Sequence, residues 1–249
     1  MNNLTPLALT GLLALSGCSL SESIDIASEH YQDLNPNQLI SEQGTLLYSD
    51  DFDQGMQQWV VEKTDQTQVT IIDEMLDMDD GAGVTVWFKH EVTTPSVIEF
   101  NGTVIVNDGP NDRGTDLNFF WMASEPGSSD FFAKSAWRGG DMRKYDPMQL
   151  YYIGYGANEN STTRYRRYPG DGTRPLLPEY DVEDKQFMNV PNEATNIKIV
   201  SLDDVTLIYS NDNLLYQIKD NEQFKSGMFG FRTWKSHLRA DDFKVYQLK

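Results

Sequence analysis

The stretch Val97-Ile-Glu-Phe-Asn-Gly-Thr-Val-Ile-Val106 alternates apolar and polar side chains. Successive side chains of a β-strand point to opposite faces, so this alternation predicts a long strand with one buried face. The apolar face carries Ile98, Phe100, Val104 and Val106. A strand of this length needs partners on both sides, and the rest of the chain supplies candidates.

Short strand-like runs continue on both sides, separated by turn residues such as Asp79-Asp80-Gly81 and Asn211-Asp-Asn213. No amphipathic helical period lies between them, which favours a sandwich over an α/β fold. We therefore predict an all-β fold, a two-sheet antiparallel β-sandwich of the concanavalin-like jelly-roll type. The long connections 125–148 and 170–190 contain Trp137 and Leu176-Leu177, so we expect ordered loops that wall a cleft.

The two ends of this domain resemble each other in Asp50-Asp51-Phe52 and Asp241-Asp242-Phe243. First and last strands commonly pair in such folds, and the acidic pairs there offer oxygen ligands for a structural Ca²⁺ ion. Solvated acids that cap strand ends are the preferred interpretation. The scattered histidines form no metal motif, so no cofactor and no catalytic metal are predicted.

The N-terminus carries an apolar run, Leu4–Leu15, followed by Leu15-Ser-Gly-Cys18, which contains the only cysteine. This pattern is typical of a bacterial lipoprotein signal, with a plain signal peptide as the alternative. We predict residues 1–18 as the signal segment ending at a lipidated Cys18, 19–44 as a polar tether with a short helix around 28–33, and 45–249 as the jelly-roll domain. The predicted location is the bacterial cell envelope, lipid-anchored to the outer membrane.

The formal net charge of −18 excludes a typical nucleic-acid-binding protein, because that function needs a basic surface. Against this acidic background, arginine and aromatic residues concentrate between Asn107 and Arg174. Alternation places Arg164, Arg166 and Tyr168 on one face of a strand. It places Asp116 with Asn118 on one face of another strand, and Tyr152 opposite Tyr151 and Tyr155.

A strand face rich in arginine, asparagine and tyrosine suits an acidic sugar, since rings cover its C–H face and arginine holds carboxylate or sulfate groups. Lys235 and His237 are predicted to complete the same groove, whereas Trp121 and Trp234 are predicted to pack in the core. Glycoside hydrolysis needs two carboxylates, for which Glu99 with Asp112 or Asp116 is conceivable. β-Elimination from a uronic acid needs a cation and a proton-transfer group, and the arginines, Tyr168 and His237 supply them.

Several separated motifs are similar to the YesU-like family of concanavalin-A-like jelly-roll proteins, a family associated with bacterial polysaccharide degradation. They are Val86-Trp-Phe88, Gly109-Pro-Asn-Asp-Arg113, Asp116-Leu-Asn118, Phe120-Trp-Met-Ala123, Tyr152-Ile-Gly-Tyr-Gly156, Thr162–Tyr168, Arg174–Glu179, Phe229–Thr233 and Lys235–Arg239. The resemblance implies a jelly roll and an association with uronate-rich glycans.

The resulting prediction is a monomeric carbohydrate-active lipoprotein, a carbon–oxygen lyase acting by β-elimination or dehydration on uronate-containing or sulfated glycans. Alternatives are a non-catalytic binding protein for acidic glycans and a hydrolase with paired carboxylates. The predicted catalytic residues are Tyr168, His237, Arg164, Arg166 and Lys235. The predicted substrate-binding residues are Asn118, Asp116, Arg113, Tyr152, Tyr155 and Arg174.

Overall fold

The computed structural model describes residues 31–220 and 222–249, which form two antiparallel sheets packed face to face. The strands are β1 (Thr45–Asp50), β2 (Trp59–Lys63), β3 (Thr67–Ile72), β4 (Met75–Asp80), β5 (Val84–Phe88), β6 (Val92–Thr93), β7 (Ser96–Val104), β8 (Leu117–Ser124), β9 (Gln149–Gly156), β10 (Thr162–Pro169), β11 (Asp181–Val182), β12 (Thr195–Ser201), β13 (Val205–Ser210), β14 (Asn213–Lys219), β15 (Ser226–Thr233) and β16 (His237–Gln247).

The first sheet, sheet I, has the order β14-β13-β12-β7-β16-β4-β3, with β1 also paired to β16. The second sheet, sheet II, has the order β11-β10-β9-β8-β15-β5-β2, with β6 also paired to β15. Every pairing is antiparallel. The predicted antiparallel sandwich is confirmed, and so is the predicted pairing of the first and last strands, in which Asp50 lies opposite Phe243.

The core between the sheets follows from strand alternation. In β8 the side chains of Leu117, Phe119 and Trp121 enter it, and all three are fully buried. From the opposite sheet, Ile98 and Phe100 of β7 meet them as predicted. The prediction that Trp121 is a core residue is confirmed.

The helices are α1 (Pro36–Gln43), α2 (Ser135–Arg138) and α3 (Ala157–Asn160), and the 3-10 turns are Tyr31–Asp33, Phe131–Lys134, Met142–Tyr145, Pro178–Tyr180 and Lys185–Phe187. Residues 31–43 pack on the domain: the Tyr31 hydroxyl donates to Asp204, and Leu39 is buried. The compact unit therefore begins at Tyr31 and not at Thr45, because this segment buries apolar side chains that a solvated tether would expose. The predicted signal segment, Cys18 and residues 19–30 lie outside the described residues.

Strand β4 was not predicted, because its sequence Met75-Leu-Asp-Met-Asp-Asp80 is rich in aspartate, which strands disfavour. The structure offsets this with partners for each acid. Asp77 accepts hydrogen bonds from His237 and Arg239, and Asp80 accepts one from the Thr67 hydroxyl. An acidic run is therefore stable as a strand where cross-strand donors meet it.

The acidic pairs at the two ends of the domain, considered above as calcium ligands, take part in hydrogen bonds. The Asp50 carboxylate accepts from the Trp59 indole at 2.8 Å and from the Phe52 backbone at 2.9 Å. Asp242 accepts from Asn101 at 3.0 Å. Among the described residues, no group of three or more histidine, cysteine or acidic side chains has a geometry that could hold a metal ion.

A cap formed by residues 125–148 covers part of the outer face of sheet II. Beneath it lies a second apolar cluster, which contains Trp87, Phe120, Phe131, Tyr145, Met148, Leu150, Tyr152 and Tyr168. Arg138 fastens the cap: its guanidinium is fully buried and donates to Glu62 at 2.7 Å and to Glu125 at 3.1 Å. The covered area of the sheet ends at Tyr152 and Tyr168, and beyond them the sheet face is open.

Candidate functional site

A pocket of about 350 Å³ opens on the outer face of sheet II beside the cap. It is lined by Arg113, Asp116, Met142, Tyr152, Ala157, Asn158, Glu159, Arg164, Arg166, Tyr168, Arg174 and Trp234. Met142 comes from the cap and Arg174 from the long loop after β10, so the prediction that both long loops wall a cleft is confirmed. Seven of the predicted site residues meet here: Arg113, Asp116, Tyr152, Arg164, Arg166, Tyr168 and Arg174.

Strand β10 forms one side of the pocket. Arg164, Arg166 and Tyr168 face it, while Tyr165 on the other side of the strand is a core residue, so the predicted alternation is confirmed. Across the sheet, Arg166 pairs with Tyr152 and Arg164 with Gly154. A Cβ atom at Gly154 would lie 3.0 Å from the Tyr152 hydroxyl, so glycine here allows the tyrosine ring to lie along the strand.

The four arginines of the pocket differ in whether a carboxylate of the protein already pairs with them. Arg164 pairs with Asp181 at 3.1 Å, Arg113 pairs with Glu159, and Arg174 lies 3.6 Å from Asp146. Arg166 donates one hydrogen bond, to the Arg174 carbonyl at 2.7 Å, and has no carboxylate partner among the described residues. A guanidinium has five N–H donors, so Arg166 retains most of its capacity for a ligand.

Three buried polar groups border these cations. The Tyr168 hydroxyl is buried and has no hydrogen-bond partner within the described chain. Burial raises the pKa of Tyr168, although the Arg174 charge opposes the shift, and burial likewise raises the pKa of Tyr152. Burial also raises the pKa of Asp116, against a hydrogen bond from Asn118 and the charge of Arg113. The tyrosines are therefore proton donors at neutral pH, and Asp116 is a stronger base than an ordinary aspartate.

Trp234 was predicted as a core residue, and this prediction is wrong. β15 ends at Thr233, and Trp234 stands in the following turn with 46% of its surface exposed, on the edge of the pocket. The Arg113 guanidinium lies 5.6 Å from its ring centroid and the Lys235 ammonium 5.1 Å from it. The ring is an exposed aromatic surface beside two cations.

Glu159 was not predicted, and it lies on a strained turn. Asn158, Glu159 and Asn160 all have positive φ, at 51°, 57° and 60°. The left-handed conformation costs about 1–2 kcal/mol per residue for L-amino acids, and less for asparagine. The turn is fixed by Asn160, whose side chain bonds both backbone groups of Asn189. The sequence Gly156-Ala-Asn-Glu-Asn160, rich in residues that tolerate positive φ, is the signal that could have indicated it.

Four predicted site residues lie outside the pocket lining. Tyr155 points into the core, where its hydroxyl bonds Ser210, because it shares the face of Tyr151 and not that of Tyr152. Asn118 is buried beside the pocket and its amide donates to Asp116, which makes it a residue that positions Asp116. Lys235 has φ of 50° in the turn, so the strand alternation that aligned it with His237 is broken.

His237 is held between two carboxylates: Nδ1 lies 2.9 Å from Asp112 and Nε2 2.9 Å from Asp77. The hydrogen bond to Asp77 raises the pKa of His237, and the bond to Asp112 adds to it, while burial opposes both. Asp112 also accepts from the backbone of Asn107 and Gly109 and so orders the loop that carries Arg113. His237 therefore fastens a wall of the pocket, and the expectation that it joins the groove is not met.

The conceivable hydrolase pair of Glu99 with Asp112 or Asp116 is not assembled. Glu99 belongs to β7 of sheet I, where it lies 3.3 Å from Lys198. Asp116 immediately precedes β8 of sheet II. The sheet order places Glu99 and Asp116 on different layers of the sandwich. Asp112 bonds His237 at the start of β16, whereas Glu99 lies opposite Lys244 near the end of that strand.

The fold and site define a β-sandwich protein with an arginine- and tyrosine-lined pocket on one outer sheet face. The chain belongs to the DUF6250 family, a domain of unknown function, whose family model matches residues 78–243. This range includes the second half of β4, the cap and every residue that lines the pocket.

Among solved structures, the chain is similar to a protein of unknown function with a galectin-like fold from Bacillus subtilis, at 16% identity and a TM-score of 0.64, over 82% of this chain and 97% of that one. It is also similar to carbohydrate-binding module CBM66 from Bacillus subtilis, at 12% identity and a TM-score of 0.51, over 76% and 96%. A third is β-agarase B from Zobellia galactanivorans, at 11% identity and a TM-score of 0.54, over 82% and 94%. These likenesses show the fold. No curated protein matches the sequence.

None of the helices within the described residues is long and apolar enough to cross a membrane.

Proposed function

We propose that the protein is carbohydrate-active and that its pocket binds a uronate residue of an acidic glycan and eliminates the substituent at C4. The observation that carries the proposal is Arg166, a pocket cation with a single backbone hydrogen bond and no carboxylate partner in the described chain. Its planar fork matches a sugar carboxylate in a bidentate arrangement. The carbohydrate-binding module and the agarase among the structural neighbours support the sugar class.

The elimination requires three functions. Arg166 neutralises the carboxylate, which stabilises the negative charge that develops when the C5 proton leaves. Asp116 takes that proton, since burial raises its pKa and makes it a stronger base than an ordinary aspartate. The Tyr152 hydroxyl, which lies beside Gly154 on the Asp116 side of the pocket, donates its proton to the departing C4 oxygen. The C4–O bond breaks, a C4=C5 double bond forms, and no cofactor is needed.

The second candidate is non-catalytic capture of the same glycan. One observation favours it: burial raises the pKa of both Tyr152 and Tyr168, so neither phenol is poised to accept a proton in the free protein. The His237 ring nitrogens are both engaged by carboxylates, so His237 is not poised for that role either. This candidate predicts the same binding without turnover.

Incubation with polygalacturonate, alginate and glucuronoxylan, followed by ultraviolet absorbance of the unsaturated product, tests the elimination. Tyr152→Phe is expected to lower turnover by about 100-fold or more, the usual contribution of a general acid, with little change in binding. Tyr165→Phe makes the same change on the core-facing side of the neighbouring strand β10 and serves as the matched control. Binding without product in the wild type selects the capture function, and absence of binding to every glycan refutes the proposal.

A further inference from the structure

A second cation, Arg113, lies at the opposite end of the pocket from Tyr168. Along β10, Arg164 and Tyr168 are four residues apart, which at the strand rise corresponds to about 13 Å. Arg164 lies opposite Gly154, as Asn118 does on the other side of β9, so Asp116 and Arg113 belong to the Arg164 end. The long axis of the pocket therefore exceeds one sugar ring.

Arg113 is held in place independently of Glu159. One of its guanidinium nitrogens donates to the carbonyls of Trp234 at 3.2 Å and Lys235 at 3.1 Å, and its fork lies over the Trp234 ring. The other terminal nitrogen points to the Glu159 carboxylate. That nitrogen is the part of Arg113 that a ligand can engage.

Glu159 meets Arg113 as a ligand would. Its side chain is 72% exposed, and within the described residues Arg113 is its one hydrogen-bond partner. The strained left-handed turn keeps this carboxylate at the pocket edge. Exposed ion pairs contribute little net stability, so an incoming carboxylate can displace Glu159 at small cost.

We infer that Arg113 is a second carboxylate subsite, occupied by Glu159 in the free protein, and that the ligand is an oligosaccharide with acid groups on more than one sugar unit. The exposed Trp234 ring beside Arg113 provides the stacking surface for the second sugar. This inference rests on the proposed function of the same pocket and specifies its substrate class.

Calorimetric titration with galacturonate and with trigalacturonate tests the inference. Glu159→Gln removes the competing charge and is expected to tighten trigalacturonate binding about three- to tenfold, as expected from an exposed ion pair and its repulsion of the ligand. Binding of the monosaccharide, which reaches the Arg166 subsite alone, is expected to stay within twofold. Adding Arg113→Gln is expected to abolish the gain, and Glu42→Gln, an exposed charge on α1, is the control for net charge.

Equal or weaker trigalacturonate binding by the Glu159→Gln variant overturns the inference while leaving the proposed function intact. If no variant binds any acidic glycan, the proposed function fails, and a separate measurement decides the inference. Phenylglyoxal modification of Arg113, followed by peptide mass spectrometry, is expected to be several-fold faster in Glu159→Gln than in the wild type. Equal rates in the two proteins overturn the subsite.

Discussion

Two neighbouring regions on the outer face of sheet II use similar residues for different ends. Under the cap, Arg138 is fully buried and all of its guanidinium nitrogens donate, to Glu62, Glu125 and the Phe131 carbonyl among others. In the pocket, Arg166 makes one hydrogen bond. The two arginines differ in the number of N–H donors that the protein itself satisfies, and this difference is the basis on which we propose Arg166 for ligand binding.

The tyrosines repeat the contrast. Tyr145 under the cap donates its hydroxyl to Glu62 at 2.7 Å, whereas the equally buried Tyr168 hydroxyl at the border of the pocket has no partner in the described chain. A buried polar group without a partner destabilises the fold unless something else compensates. We read the unmet capacity of Tyr168 and Arg166 as retained for a ligand.

The largest expected effect is on the capped region. Arg138→Met leaves Glu62 buried without its cation and is expected to lower the free energy of unfolding by about 3–5 kcal/mol. Arg166→Met, the matched change in the pocket, is expected to lower it by less than about 1 kcal/mol. Urea denaturation of both variants measures this. Similar losses in the two variants would remove the distinction between the two arginines.

The second effect is on ligand binding. Arg166→Gln is expected to weaken binding of an acidic oligosaccharide by about 100-fold, corresponding to the loss of a charge-assisted bidentate contact. Arg167→Gln removes a cation from the next position of β10, where Arg167 pairs with Asp220 on the other face at 2.7 Å. Its affinity is expected to match the wild type. Calorimetry on both variants decides, and equal weakening would mean that charge near β10, and not the Arg166 position, governs binding.

The smallest effect concerns His237, which forms a partly buried network of charges with Asp77 and Asp112. Its burial is intermediate between that of Arg138 and that of an exposed ion pair. Burial acts to raise the pKa of Asp77, but hydrogen bonds from His237 and Arg239 outweigh it and lower that pKa; the pKa of His237 is raised. The raised histidine contributes stability that is complete below its ordinary pKa of 6.5 and is lost as pH rises through the folded value. The lowered Asp77 contributes stability above 3.8 that is lost as pH falls.

His237→Gln is therefore expected to cost about 1 kcal/mol near pH 5.5, where both contributions are present, and clearly less at alkaline pH, above the folded pKa of His237. Thermal unfolding across that range measures the difference. A cost that does not change with pH would show that His237 acts through packing and not through its charge.

The sequence by itself determined the features that depend on local alternation. The sandwich, the core face of β8, and the shared face of Arg164, Arg166 and Tyr168 follow from the two-residue period of a strand, which no distant contact alters. The same period separates Tyr152 from Tyr155, and Tyr155 was misplaced because the prediction took both for the site. The aspartate-rich strand β4 was not predicted, because the residues that bond its Asp77, His237 and Arg239, lie far along the chain.

The tertiary structure alone decided where the alternation of a strand ends and which distant residues come into contact. The turn after Thr233, with Lys235 at positive φ, turned Trp234 out of the core and moved His237 into sheet I. The left-handed turn after Gly156 brought Glu159 to Arg113. How many donors of an arginine the protein satisfies depends on residues that the fold brings together from distant parts of the chain. Glu62 and Arg138 are one such pair, and contacts of this kind have no local signature in the sequence.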